Sequence, residues 1–225
     1  YEVREITAPH GMVLNPEPHC VELVYAGQNV AVTETATSFE NERQKVEISL
    51  VKSIEQNERF DIGNNGEMKN ISFGLFAAVE IVSASGTSIP ANGLVEIISL
   101  NEDGTAKIKT DLPFGSYYVQ ELATDSHYML SDTKYPVTFG YAGQDTAVVK
   151  IAVNDGNAVE NKLIYGSVSG KKVDENGDSL GGALIGLFRT DDGEFTKENA
   201  LMTTTSAEDG SFSFESIPYG TWYVR

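Results

Sequence analysis

Few residues in this chain have the type and setting for chemistry, and the most telling is a glutamate at the end of a recurring phrase. Tyr1-Glu2-Val3-Arg4-Glu5 opens the sequence, and Tyr117-Tyr118-Val119-Gln120-Glu121 repeats it. Trp222-Tyr223-Val224-Arg225 gives the phrase a third time without its glutamate. Glu121 alternates with Val119 and Tyr117, so it shares their face of a strand. A carboxyl set in an apolar row favours its neutral form and can carry a proton to or from a neighbour.

Other candidates are weaker. Asp174-Glu175-Asn176-Gly177-Asp178 begins like a calcium loop, but Ile185 stands where the twelfth-position glutamate is required. A turn accounts for it. His10, His19 and His127 lie in loop-like stretches without ligand spacing, so no metal site and no cofactor is expected. No nucleophile elbow or Ser/His/Asp set is visible. Cys20 is the single cysteine, which excludes a disulfide within the chain and reads as a small apolar residue. The net charge of −17 repels phosphate backbones and anionic lipid surfaces, which sets nucleic acid and membrane surfaces aside as partners. No apolar run reaches membrane-spanning length.

The elements that position these residues are strands. Val46, Ile48, Leu50 and Lys52 alternate with Glu47, Ser49 and Val51, and Val168, Gly170 and Lys172 alternate with Ser169 and Lys171. Turn clusters separate the runs: Asn64-Asn65-Gly66, Asn101-Glu102-Asp103-Gly104 and Glu208-Asp209-Gly210. No long helical period occurs. Many short strands with Gly and Asn turns predict an all-β chain of Ig-like sandwiches.

Internal repeats fix the expected boundaries. A shift of 116 positions carries Tyr25-Ala26-Gly27-Gln28 onto Tyr141-Ala142-Gly143-Gln144, and Glu5 onto Glu121. Gly74-Leu75-Phe76 recurs as Gly186-Leu187-Phe188, and Asp103-Gly104 as Asp209-Gly210. Residues 1–45 therefore read as the second half of one domain, 46–163 as a complete domain, and 164–225 as the first half of a third. The complete domain carries a longer insertion between Glu55 and Ser72.

These phrases together resemble the CnaB-type (SpaA-like, prealbumin-like) β-sandwich repeats of Gram-positive surface adhesins and pili. The resemblance rests on Lys172-Val173-Asp174-Glu175-Asn176-Gly177, then Leu180-Gly181-Gly182-Ala183, Leu187-Phe188, Asp209-Gly210-Ser211-Phe212 and Pro218-Tyr219-Gly220-Thr221-Trp222-Tyr223-Val224. It covers nearly the whole chain. It implies an intramolecular isopeptide bond between a first-strand lysine and a last-strand asparagine, assisted by a glutamate. In the complete domain those positions fall on Lys52, Asn161 and Glu121. A neutral lysine is the nucleophile, and burial favours that form. On spacing alone, an ion pair of Lys52 with Glu121 and a turn role for Asn161 also account for the pattern.

The end segments hold complementary parts. Residues 1–45 carry Glu5 and Asn41 but no first-strand lysine, and residues 164–225 carry Lys172, inward by its alternation, and stop one position short of the expected glutamate. Lys172, Glu5 and Asn41 would form one further triad if the segments paired, within a chain or as a strand-complemented oligomer. The resemblance also implies a stalk segment of a surface adhesin, outside a Gram-positive cell. Its partners would be neighbouring domains of the same protein and, through another domain, a host ligand. Any anchor or export signal would lie outside the fragment. The alternatives are a ligand-binding adhesin domain or a pilus backbone subunit. Tyr135-Pro136-Val137 lacks the lysine of the pilin Tyr-Pro-Lys-Asn setting. Apart from a single self-modification, no enzymatic activity is expected.

Overall fold

The structure, a computed structural model, describes residues 1–82 and 86–225. Among these residues there is no α-helix, only strands and two short 3₁₀ turns at Glu67–Asn70 and Val153–Gly156. The N-terminal segment holds two short antiparallel strands, β1 (Glu2–Val3) and β2 (His19–Cys20). The rest of it is irregular, with turns at His10–Gly11 and Gln28–Asn29 and a bridge from Met12 to Arg43.

The centre holds ten strands, eight in the two sheets of a β-sandwich and two in a separate hairpin. They are β3 (Lys45–Ile54), β4 (Ser72–Ala77), β5 (Ile81–Val82), β6 (Ser88–Ile89), β7 (Leu94–Ser99), β8 (Thr105–Thr110), β9 (Gly115–Ala123), β10 (Tyr135–Phe139), β11 (Val148–Ala152) and β12 (Val159–Asn161). The hairpin is β5 with β6. One sheet runs β10-β9-β4-β7. The other is built on β3, with β8 antiparallel on one side and β11, then β12, parallel on the other. The first and last strands of the sandwich are thus direct neighbours. Strand alternation turns Val46, Ile48 and Leu50 inward against Phe73 and Leu75 of β4, Tyr117 and Val119 of β9, and Val137 and Phe139 of β10. Burying each large apolar side chain of this set contributes about 1.5–3 kcal/mol.

The C-terminal segment forms β13 (Tyr165–Lys171), β14 (Leu184–Arg189), β15 (Met202–Thr205), β16 (Ser211–Pro218) and β17 (Trp222–Val224). β13 pairs with β16, and β14 lies between β15 and β17. Among the described residues, no strand pairing joins this segment to β1 or β2.

The end segments pack at opposite ends of β3. At the Lys45 end, buried Gln44 donates to the carbonyls of Gly143 and Thr146 and accepts from the Ala142 amide, while the Leu14 amide donates to the Gln144 carbonyl. At the Ile54 end, Phe60, Ile62, Tyr128 and Leu163 share one apolar cluster with Ile185, Leu187, Phe214 and Ile217. The insertion after Glu55 thus supplies the joint with the next unit. One expectation needs correction. Cys20 is exposed rather than packed, because β2 pairs only with β1 at the surface. The histidines lie at or near the surface, as their loop-like settings suggest: His10 is exposed beside Tyr141, and half-buried His19 and His127 stack on Phe39 and hydrogen-bond Asp125.

Candidate functional site

Lys52 extends the inward row of β3, and its side chain is 0% exposed, that of Glu121 1%. The lysine is fixed from both sides. Its amide donates to the Gly104 carbonyl at 2.8 Å, and its Nζ donates to the Val159 carbonyl of β12 at 3.1 Å. Gly104 holds φ +79°, and a Cβ there would collide with the Lys52 carbonyl oxygen. Lys52 pairs in register with Val159, and Asn161, two residues on, turns the same way.

Glu121 reaches this point from the other sheet, where it faces Phe73 across β4. Its Oε1 is 3.7 Å from the Lys52 Nζ, and its Oε2 accepts the Ser131 amide at 3.0 Å. The Asn161 Nδ2 donates to Glu121 Oε1 at 2.9 Å and to Oε2 at 3.0 Å, and lies 2.8 Å from the Thr124 Oγ1. Asn161 Oδ1 is buried without a hydrogen-bond partner. The amide nitrogen, not the oxygen, thus faces the glutamate, whose two oxygens both accept from it. A buried amide oxygen without a partner costs about 1–3 kcal/mol.

Burial pushes the Lys52 pKa down to about 8, against the opposing pull of Glu121, by charge and hydrogen bond, and of Glu160. Near neutral pH an appreciable share of the side chain is a free amine. A nucleophile, a carboxyl able to carry its proton and a carboxamide stand in one dry place. The arrangement suits amide exchange, and it also suffices for a buried ion pair, whose desolvation penalty leaves little net stability. Among the described residues no cluster of His, Cys, Asp and Glu suits a metal ion.

The other three predicted residues are split between the ends. Glu5 and Asn41 stand together: the Asn41 Nδ2 donates to Glu5 Oε2 at 2.7 Å, as does the Asn15 amide at 2.7 Å. Lys172 lies elsewhere and corrects the expectation of an inward lysine. It is exposed, and its Nζ donates to the Val173 carbonyl. Its strand keeps the expected alternation, but among the described residues β13 pairs with β16 and with no counterpart of β12, and Val168 is 38% exposed beside it. Sequence reading missed Thr124, which follows the last residue of β9 and belongs to no motif.

The SpaA prealbumin-like fold domain matches residues 57–157 and 166–225. The chain belongs to this family. Among solved structures, the Bacillus anthracis TIE protein is similar to the whole of this SpaA-family chain, at 21% identity and a TM-score of 0.62. That likeness is one of fold. A streptococcal ancillary pilin aligns with 100% of the chain at 21% identity and a TM-score of 0.36. The C-terminal fragment of the pilus adhesin SpaC from Lactobacillus rhamnosus GG aligns with 79% of the chain and 73% of its own length, at 14% identity and a TM-score of 0.43. The chain spans 35% of the TIE protein structure and 64% of the ancillary pilin. No curated protein matches it.

Proposed function

We propose that this chain is a stalk segment of a Gram-positive cell-surface adhesin whose central sandwich welds itself with a Lys52–Asn161 amide bond. The observation that carries this reading is the fully buried set of Lys52, Glu121 and Asn161, with a carboxamide oxygen left unpaired. A proton passes from the Lys52 ammonium to Glu121. The carboxyl, now a donor, favours a half-turn of the Asn161 amide that brings Oδ1 against it and against the Thr124 hydroxyl. Both groups then polarise the carbonyl. The Lys52 Nζ forms a bond to the Asn161 Cγ, Glu121 passes its proton to Nδ2 and takes a second proton from Nζ, and the Cγ–Nδ2 bond breaks, releasing ammonia and leaving an amide N–H on Nζ and a protonated Glu121. The event happens once per molecule, so it is maturation and not turnover.

The mechanical role follows from where the bond sits. β3 and β12 are neighbours, and force entering along one leaves along the other. A covalent link between them carries the load past every strand in between. It closes a loop of roughly 110 residues, which by chain entropy is worth about 4–5 kcal/mol. Neighbouring domains of the same surface protein are the direct partners of such a segment, and a host ligand is left to another domain.

The test is the intact mass of the denatured protein. One bond removes one ammonia, about 17 Da, from the sequence mass. Lys52→Ala is expected to restore the full mass. A wild-type chain at its full sequence mass would remove the cross-link.

A further inference from the structure

The edges of the central sandwich are not treated alike. β8 carries exposed Lys107 and Lys109, β11 carries exposed Lys150, β10 carries Pro136, which has no amide hydrogen, and β12 is only three residues long. Lysine, proline and brevity all guard a strand against pairing with another chain. β7, Leu94-Val95-Glu96-Ile97-Ile98-Ser99, has none of them. It pairs with β4 on one side and, among the described residues, with no strand on the other. Its outward side chains are apolar, Leu94 at 49% and Ile97 at 60% exposure. Beside them the sheet floor is low. A Cβ on Gly74 would fall 2.6 Å from the Phe76 ring and 2.9 Å from Leu94 Cδ1, so both side chains lie across that glycine. Phe76 stacks on Tyr118 with centroids 5.1 Å apart, and Lys134, next to β10, holds its Nζ 4.3 Å from the Tyr118 ring centroid. The apolar floor is thus capped toward β10 and open toward β7.

The C-terminal segment shows what such a floor takes. There Phe188 lies across Gly186 and pairs with Tyr223, as Phe76 lies across Gly74 and pairs with Tyr118. Phe195, from the connection between β14 and β15, packs edge-on against both rings at 5.1 and 5.9 Å, and Phe188 is only 4% exposed. The matching connection in the central sandwich, residues 78–93, has no aromatic residue, and its Ile81 is drawn into the core. Phe76 is left half-buried, with no ring but Tyr118 against it among the described residues.

We infer that β7, with the floor of Phe76, Leu94 and Ile97, is a docking edge for an extended segment of a second protein, which adds to the sheet as a further strand and lays an aromatic side chain where Phe195 lies in the next unit. Backbone hydrogen bonds along β7 give such a strand its grip, and the alternate side chains that reach the floor give it selectivity. Charge narrows the partner. The chain carries a net charge of −17, and Glu96 is the one charged residue of β7, so a strand with Lys or Arg flanking its apolar positions is favoured over an acidic one. β7 lies in the sheet opposite β3, so the docking edge needs no cross-link.

The test uses the full chain and a displayed library of short random peptides, with the enriched peptides then synthesised and titrated against the chain. The expected binders alternate apolar residues, at least one of them aromatic, with Lys or Arg at the flanks. In nuclear magnetic resonance spectra they perturb the amides of Leu94–Ser99 ahead of all others. Ile97→Lys gives β7 the guard that β8 carries and should weaken binding at least about tenfold, as the loss of a central apolar contact does. Ile97→Thr, which adds no charge, should weaken it in the same direction. The position is exposed, so an unchanged melting curve shows that both variants fold. No enriched peptide, binding that Ile97→Lys leaves intact, or perturbation confined to another strand overturns the docking edge. Enriched peptides that are acidic overturn the stated chemistry of the partner. Concentration-dependent dimers of the chain alone that Ile97→Lys abolishes mean that the edge serves a second copy, and overturn the second protein as its occupant.

Discussion

Lys52 and Lys172 are held by the same backbone hydrogen bond, yet one is sealed in the core and the other stands in solvent. The strand and its turn are the same in both places, so neither makes the difference. What differs is cover. Over Lys52 lie β12, with Val159 at its Nζ, and β9, with Glu121. Over Lys172 lies nothing of the kind. The first half of a repeat thus presents an ordinary surface lysine, and the second half takes its water away and lowers its pKa.

The comparison can be broken most forcefully at Lys52. Lys52→Ala should lose the cross-link, worth about 4–5 kcal/mol, and strand the buried Glu121 at about 3–5 kcal/mol more. Lys172→Ala should change stability by less than about 0.5 kcal/mol, as exposed positions do. Denaturant titration of both variants reads this directly, and equal losses would refute the idea that cover decides the role. Glu121→Gln keeps the shape but cannot carry the proton. It should show the full sequence mass and a loss of about 4–5 kcal/mol; a variant that still sheds ammonia would take Glu121 out of the chemistry.

Phe60→Ala acts at the joint, where Phe60 packs edge-on against Trp222. It should cost about 3–5 kcal/mol at most, and speed amide exchange in β14 and β16 while sparing β4 and β9. Uniform acceleration would mean that the cluster is not a separate unit. Gly104→Ala and Gly210→Ala impose the same clash on matching turns and should each cost about 1–3 kcal/mol. Only the first should slow central bond formation, read by mass over time in freshly synthesised protein. The smallest effect is that of pH. The proton that leaves Lys52 stays on Glu121, so below the Lys52 pKa of about 8 the pair keeps its proton and bond formation should be flat, whereas above it that proton is lost to water and the rate should fall about tenfold per unit. A rate that instead climbs with pH through this range would mean that the Lys52 proton leaves the site rather than passing to Glu121.

The fold and much of the site could be read from the sequence. Period-2 alternation put Lys52 on the inward row, and the repeated phrase singled out Glu121. Asn161 came from the family pattern, and the structure places it beside the other two. The failures have physical causes. Lys172 has the same alternation as Lys52, but alternation names a face and says nothing of what covers it. Thr124 sits beyond the strand, where no periodicity reports on side-chain direction. Gln44 is a polar residue whose burial depends on the carbonyls of Gly143 and Thr146, about a hundred positions away. The orientation of the Asn161 amide depends on which groups donate, and no sequence pattern encodes that.

The apolar cluster around Phe60, Leu163 and Leu187 has a consequence for reach. Units strung on flexible linkers coil, and their span grows only as the square root of linker length. Here Leu163 packs among core residues of the C-terminal segment, only two positions before β13, and Ile54 of β3 touches both cores, so the two units meet directly rather than through a coiling linker. Bending such a joint means exposing buried rings and leucines to water. A series of these units would therefore stand off a surface by nearly its full contour length, as a post does and a tether does not.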